Sequence, residues 1–277
     1  MVHDDSAISN KARQCHSYDY PGWPIRCVAI SPNERYVAIG SFDCRMFELL
    51  KEHGISPRPA PKKDVPGAKE TEAAIVILDS LTGEAIRSLI VTNGWGKNQD
   101  LVFSPDGNRL AYVDDGVNAY GDFSYTPAIT VFDFETGKAL RTMHGPRSLK
   151  GPLLFSPDGH IIVATSQGKN FGEWTFIAFN ADSGEEADAF PRTELLGWPV
   201  CFHPSEGILV SAAKAGELRF WDIKTGQKLA ALSEATDVST AAFSPDGAWL
   251  AVGANSGKLG LWRMDRVLTT GIEKTAP

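Results

Sequence analysis

One phrase recurs five times along this chain of 277 residues, and an internal repeat limits the possible folds more than any single motif does. The copies read AISPNERYVAIG (29–40), VFSPDGNRLAYV (102–113), LFSPDGHIIVAT (154–165), CFHPSEGILVSA (201–212) and AFSPDGAWLAVG (242–253). Each joins an apolar pair, a Ser-Pro, His-Pro or equivalent step, a turn and a second apolar run. Proline sets φ near the value the second turn position needs, Asp bonds its own backbone, and Gly supplies positive φ where the chain returns. The flanks become antiparallel strands. A second phrase follows four copies: AIVILDSLTGEAIRSL (74–89), ITVFDFETGKALRTM (129–143), FIAFNADSGEEADAF (176–190) and LRFWDIKTGQKLAAL (218–232). Alternating apolar residues lead to Asp79, Asp133, Asn180 or Asp222, then to a turn at Gly83, Gly137, Gly184 or Gly226, then to another strand.

Two hairpins per unit give four strands, none able to bury both faces alone, so the units must stack. The phrase prolines Pro32, Pro105, Pro157, Pro204 and Pro245 are 73, 52, 47 and 41 residues apart. The spacing shrinks toward the period of about 40 to 45 residues of a four-stranded propeller blade, and the longer intervals imply insertions. The 26 glycines and 17 prolines count against a helical bundle. The expected fold is all-β: a β-propeller of five four-stranded antiparallel blades, closed by the N-terminal strand. Closure is needed because an unpaired edge invites aggregation. The fifth unit shows strands near 237–243, 248–253 and 258–262 but no fourth. Residues 12–19 align with the fourth strand of the first unit and are assigned as the missing one, with 266–271 as the rival. The expected organisation is a tail at 1–11, one propeller domain at 12–265 with an insertion at 41–73, and a tail at 266–277.

These phrases resemble the tryptophan-aspartate (WD) repeat propellers. Trp221-Asp222 is an intact WD dipeptide, Trp262-Arg263 is a degenerate last copy, and the SPDG and TG turns fall where that family places them. The resemblance runs over about residues 12–265. No unit has the Gly-His pair before its first strand, the nearest being the inverted His144-Gly145. The repeats are therefore degenerate, and the hydrogen-bond tetrad of that family is expected to be mostly missing.

In such an architecture the SPDG and TG turns gather on one face, and the more varied loops gather on the other. Loops on a rigid scaffold carry binding. The varied ones are YPGWP (20–24), TNGWGKNQ (92–99), HGPRSLKG (144–151), PRTELLGWP (191–199), DDGVNAYGDFSYTP (114–127) and 41–73. The resemblance puts Trp23, Trp95 and Trp198 around the mouth of a central channel, joined by Tyr120, Phe123 and Tyr125. Such aromatics serve as interface anchors or plug gaps between blades. Asp114, Asp115, Asp122, Lys97, Arg147 and Lys150 are a candidate polar rim. The binding set is thus Trp23, Trp95, Lys97, Tyr120, Asp122, Tyr125, Arg147 and Trp198. Residues 44–54 read as a short amphipathic helix, and the proline-rich, basic 55–72 as an arm without regular structure.

Catalytic and cofactor motifs do not stand out: GxSxG, GxxxxGK[ST], HxH and HExxH are missing, and no cofactor or metal is expected. One enzymatic alternative is a glycosidase-like or carbohydrate-binding five-bladed propeller, with Asp100 and Asp237 as carboxylates at the channel mouth. A net charge of −7 argues against a nucleic-acid partner. No apolar stretch is long enough for a membrane span, and the four cysteines form no CxxC pair, so a cytoplasmic chain with free thiols is expected. The favoured partner is a protein or peptide.

Overall fold

The computed structural model describes residues 25–41, 73–91, 100–114, 127–145, 148–168, 173–187, 197–213, 216–233 and 237–264. Within them each repeated phrase folds as the turn chemistry requires. The first sheet pairs β1 (Cys27–Ile30), β2 (Tyr36–Ser41), β3 (Ala73–Asp79) and β4 (Ala85–Val91) in chain order. The second pairs β5 (Asp100–Phe103), β6 (Arg109–Asp114), β7 (Ala128–Asp133) and β8 (Ala139–His144). The third holds β9 (Leu149–Phe155), β10 (Ile161–Gln167) and β11 (Trp174–Asn180). The fourth comprises β12 (Trp198–Phe202), β13 (Ile208–Ala212), β14 (Leu218–Asp222) and β15 (Lys228–Leu232). The fifth comprises β16 (Val238–Phe243), β17 (Trp249–Ala254) and β18 (Leu259–Arg263). All pairings are antiparallel.

The third sheet differs from the four strands expected of it. Among the described residues its fourth member is a single bridge between Phe179 and Glu186. The predicted helix at 44–54, the arm at 55–72, and both rival closing strands at 12–19 and 266–271 lie outside the described residues.

The turns are fixed by their own side chains. In three copies the serine hydroxyl donates to the Asp two residues on, at 2.5 Å for Ser104–Asp106, 2.6 Å for Ser156–Asp158 and 2.5 Å for Ser244–Asp246. The same hydroxyl accepts the N–H five residues on, at 2.9 Å from Arg109, Ile161 and Trp249. Repeat one does this with Asn33 for Asp and places Glu34 at φ 59° where the three SPDG copies have glycine. In the second hairpins one side-chain oxygen of Asp79, Asp133, Asn180 or Asp222 accepts the N–H three residues on. A backbone bond ties the first turn of each sheet to the residue that follows its third strand: Ser80 N–H to Arg35 O, Phe134 to Asn108, Ala181 to His160, Ile223 to Gly207 and Met264 to Ala248.

The core lies between sheets, in chain order. Cys27, Ala38, Ile75 and Ile77 of the first sheet meet Leu101, Phe103, Leu110 and Tyr112 of the second. Ala111, Val113, Ile129 and Val131 meet Leu149, Leu153, Ile162 and Ile177. Val163, Phe176 and Ala178 meet Leu209, Trp221 and Ile223. Ile208, Val210 and Phe220 meet Val238, Leu250 and Val252. Alternation along each strand sends successive side chains to opposite neighbours, so every interior sheet is apolar on both faces. Among the described residues no apolar cluster joins the fifth sheet to the first. Val28 and Ile30 point away from the second sheet at 60% and 64% exposure, and Leu259 and Leu261 point away from the fourth at 73% and 64%.

Candidate functional site

Antiparallel connectivity puts all the SPDG and TG turns at one end of the sheet stack. The starts of β1, β5, β9, β12 and β16 lie at the opposite end, where the longer connections attach. The turn end is stitched from sheet to sheet. Arg87 of β4 donates through Nη1 to the Phe134 carbonyl of the second sheet. Arg141 of β8, at the same place after its TG turn, donates through Nε to the Asp182 carbonyl of the third sheet at 3.0 Å. Arg109 reaches the Gly159 carbonyl at 2.7 Å and the Asp182 carboxylate at 2.9 Å. Asp182 also holds His160 at 2.7 Å, and the His160 contact with the carboxylate is the leading reason its pKa falls below the ordinary range.

His203, read from sequence as a mere stand-in for the turn serine, does more. It is 5% exposed, and its Nδ1 accepts the N–H of Glu206 at 3.0 Å. Because Nδ1 is an acceptor, the ring proton sits on Nε2, which donates to the Gly247 carbonyl of the fifth sheet at 3.2 Å. The ring also meets Phe243 edge-on. No signal in the sequence marks this histidine as bridging two sheets. A signal for the arginines does exist: they recur in TGEAIR and TGKALR.

At the loop-rich end the two carboxylates of the enzymatic alternative both hold backbone or loop groups. Asp100 accepts the N–H of Leu153, on the neighbouring inner strand β9, at 2.8 Å and that of Leu101 at 2.9 Å. Burial raises its pKa above the ordinary carboxylate value, outweighing these two bonds. Asp237, at φ 59°, accepts from the Asn255 amide at 3.1 Å. Cys27 is a free, buried thiol, pushed up to about 12 by burial first and by the nearby Asp100 charge second. Burial pushes Cys201 up to about 12 as well. Among the described residues no cluster of three His, Cys, Asp or Glu side chains has the arrangement to hold a metal.

Of the eight predicted binding residues, Trp198 is described. It opens β12, follows Gly197 at φ 78°, is partly buried, and packs against the cluster between the fourth and fifth sheets. Gly197 is required there, since a Cβ would run into the Ala212 carbonyl. Trp23, Trp95, Lys97, Tyr120, Asp122, Tyr125 and Arg147 lie outside the described residues. Lys150, placed by sequence in a loop rim, is in β9, and its ammonium stands 3.3 Å from the ring centroid of Trp174 on β11. Trp174 had not been singled out; an aromatic opening a third strand carries no distinctive sequence signal.

Comparison with known proteins supplies the remaining facts. A family model described as "WD domain, G-beta repeat" matches residues 13–47 and 226–263. The chain is 22% identical over 175 residues to the WD repeat-containing protein SL1-17 of Schistosoma mansoni, covering 62% of this chain and 56% of that protein. It is 27% identical over 168 residues to the target of rapamycin complex subunit wat1 of Schizosaccharomyces pombe, covering 59% and 48%. It is also 27% identical over 193 residues to a protein named as the uncharacterized peptidase YuxL of Bacillus subtilis, covering 56% and 29%. This chain therefore spans between 29% and 56% of the length of these relatives.

Proposed function

The chain is a WD-repeat protein, and on that premise we propose that it is a non-catalytic scaffold that binds a protein or peptide on its loop-rich face. The observation that carries this reading is the asymmetry of the two ends. Side chains and carbonyls at the turn end are engaged in bonds within and between sheets, from Arg87 to His203. The longer connections attach at the opposite end; in the sequence those connections contain Trp23, Trp95, Lys97, Tyr120, Asp122, Tyr125 and Arg147, and Trp198 opens β12. A stack fixed in this way offers a face that loses little entropy on association. The name of the fission-yeast relative, a complex subunit, agrees with this role. The roles of Asp100 and Asp237 in holding β9 and Asn255 support a structural rather than catalytic part for both. The free thiols Cys27 and Cys201 fit a cytoplasmic setting.

The same proposal includes a ring of five blades closed by residues 12–19. The second family match begins at 226, two residues before β15, and β17 starts 23 residues into it. In the first match, from residue 13, β2 also starts 23 residues in. By that register residues 15–19 correspond to β15, a fourth strand. They precede the first sheet, which already has four strands, while the fifth sheet has three among the described residues. Adding that strand beside β18 would pair this edge, and closing the ring would set the first sheet's outward Val28 and Ile30 against Leu259 and Leu261 of the fifth.

The test is affinity capture with the purified chain and a Trp95→Ala/Tyr120→Ala/Tyr125→Ala variant. Loss of captured proteins at an unchanged melting temperature supports the loop-rich face. Undiminished capture by the variant, or loss of capture on changing Asp182 at the turn end, refutes it.

A further inference from the structure

The side of the third sheet that meets the fourth is apolar near the turns and becomes polar toward the loop-rich end. Thr165 pairs with Lys150 on one side and Phe176 on the other, and Gln167 pairs with Trp174. Directly paired residues share a face, so Lys150, Thr165, Gln167 and Trp174 continue the face begun by Val163 and Phe176. On it the Lys150 ammonium rests over the Trp174 ring, 3.3 Å from its centroid. The side chain is partly withdrawn from water, and that burial lowers its pKa. No carboxylate among the described residues pairs with it, although the whole chain carries a net charge of −7. Its cross-strand neighbour Thr165 is 1% exposed, and its hydroxyl has no hydrogen-bond partner. On the facing fourth sheet the cation Arg219 is already held by Glu217 at 2.6 Å, and Ser211 accepts the Trp221 indole N–H at 2.9 Å.

Among the described residues the partly desolvated ammonium has no counter-ion and the buried hydroxyl no acceptor, and a carboxylate oxygen can answer both. Cation–π contact holds the ammonium in place and leaves its N–H donors free to turn outward. We propose that Lys150, Thr165 and Trp174 form a seat for the carboxylate of a Glu or Asp side chain on a bound peptide. This rests on the scaffold reading above and gives its partner a chemistry: an acidic segment laid across the end of the third sheet. One ammonium and one hydroxyl match a single negative charge, whereas a phosphate dianion would meet too little positive charge on so acidic a chain.

The test follows the Trp174 indole N–H by nuclear magnetic resonance, assigned with Trp174→Phe, during titration with capped Ala-Glu-Glu-Ala, capped Ala-Gln-Gln-Ala and sodium acetate. The expected result is a saturable shift with the Glu peptide. Binding should be about tenfold weaker for the Gln peptide and in Lys150→Met, and retained in Lys150→Arg. Dispersed spectra of each variant verify its fold. The seat is refuted if the Glu peptide gives no saturable shift, if Lys150→Met binds it equally, or if acetate saturates the signal at the peptide's concentration. The two proposals fail separately. Protein capture on the loop-rich face, with Glu-peptide binding equal in Lys150→Met, would leave the scaffold and remove the seat. Glu-peptide binding without any captured protein would do the reverse.

Discussion

Replacing Gly247 by Ala tests whether the turn end is built from contacts between sheets. Gly247 has φ 74°, and an added Cβ would run into the His203 imidazole. The left-handed conformation alone costs an Ala about 1–2 kcal/mol. Forcing a buried ring aside adds about 1–3 kcal/mol, and this ring is pinned by Glu206, by the Gly247 carbonyl and by Phe243. The sum is about 2–5 kcal/mol, and in a chain of this size each kcal/mol moves the melting temperature by about 2–4 °C. Gly257 is the control: its φ is 80°, yet nothing lies within 4 Å of its added Cβ, so Gly257→Ala should cost only the backbone part. The assay is urea unfolding of Gly247→Ala, Gly257→Ala, His203→Ala and the Gly247→Ala/His203→Ala double variant. The overpacking part should vanish without the ring, giving a coupling of about 1–3 kcal/mol. Equal costs for the two glycine variants, or strict additivity in the double variant, would refute the inter-sheet contact.

Three further outcomes are expected. Trp221 is 1% exposed and its indole bonds Ser211 at 2.9 Å, so Trp221→Phe should lower stability by about 1–3 kcal/mol in denaturant unfolding with an unchanged slope. Asp158 and Asp222 are held below the ordinary carboxylate value of 3.8, chiefly by the Ser156 hydroxyl and the Thr225 N–H respectively. Their contribution is complete above that value and lost as pH falls through the folded-state one, so Asp158→Asn/Asp222→Asn should flatten the acid limb of a stability profile. A profile as steep as the parent's would contradict the turn bonding. Finally, with Cys15 and Cys44 changed to Ser, Cys27 and Cys201, both pushed up to about 12, should ignore a disulfide reagent at pH near 8 until the chain unfolds. Rapid labelling of the native protein would show the burial to be wrong.

The strands were legible to within a residue or two because turn chemistry is local. The fifth unit, expected near 237–243, 248–253 and 258–262, is β16 at Val238–Phe243, β17 at Trp249–Ala254 and β18 at Leu259–Arg263. The stacking of the sheets in chain order also followed, because a unit of two hairpins cannot bury both of its faces alone. The contacts between sheets were not legible, since Arg87, Arg141 and Lys150 look like ordinary surface charges until tertiary packing supplies a carbonyl or a ring. Sequence placed Lys150 in a loop and passed over Trp174, and only the pairing of β9 and β11 with β10 brings the two together. Trp198 was assigned as an anchor at the mouth, with gap-filling as the alternative; its packing against Val210 and Leu250's cluster shows a side chain that carries structure as well.

How repeats so degenerate keep their sheets in step follows from what the stitches share. The donors differ: a guanidinium from Arg87, Arg109 and Arg141, an imidazole from His203. The acceptors are of one kind, a backbone carbonyl in a turn of the next sheet, at Phe134, Gly159, Asp182 and Gly247. A carbonyl is present whatever residue occupies the position, so only the donor side must be kept, and any side chain that reaches far enough will serve. The fourth unit illustrates this. It lacks both the serine and the aspartate of its turn, and His203 supplies the acceptor for that turn's own N–H groups while donating to Gly247. Its stitch therefore survives a change at the very residues that define the repeat. The SPDG phrase can drift without loosening these contacts as long as a donor is kept at the three gaps where one is seen, between the first and second, second and third, and fourth and fifth sheets, while the apolar cluster of Val163, Phe176, Leu209 and Trp221 joins the third to the fourth.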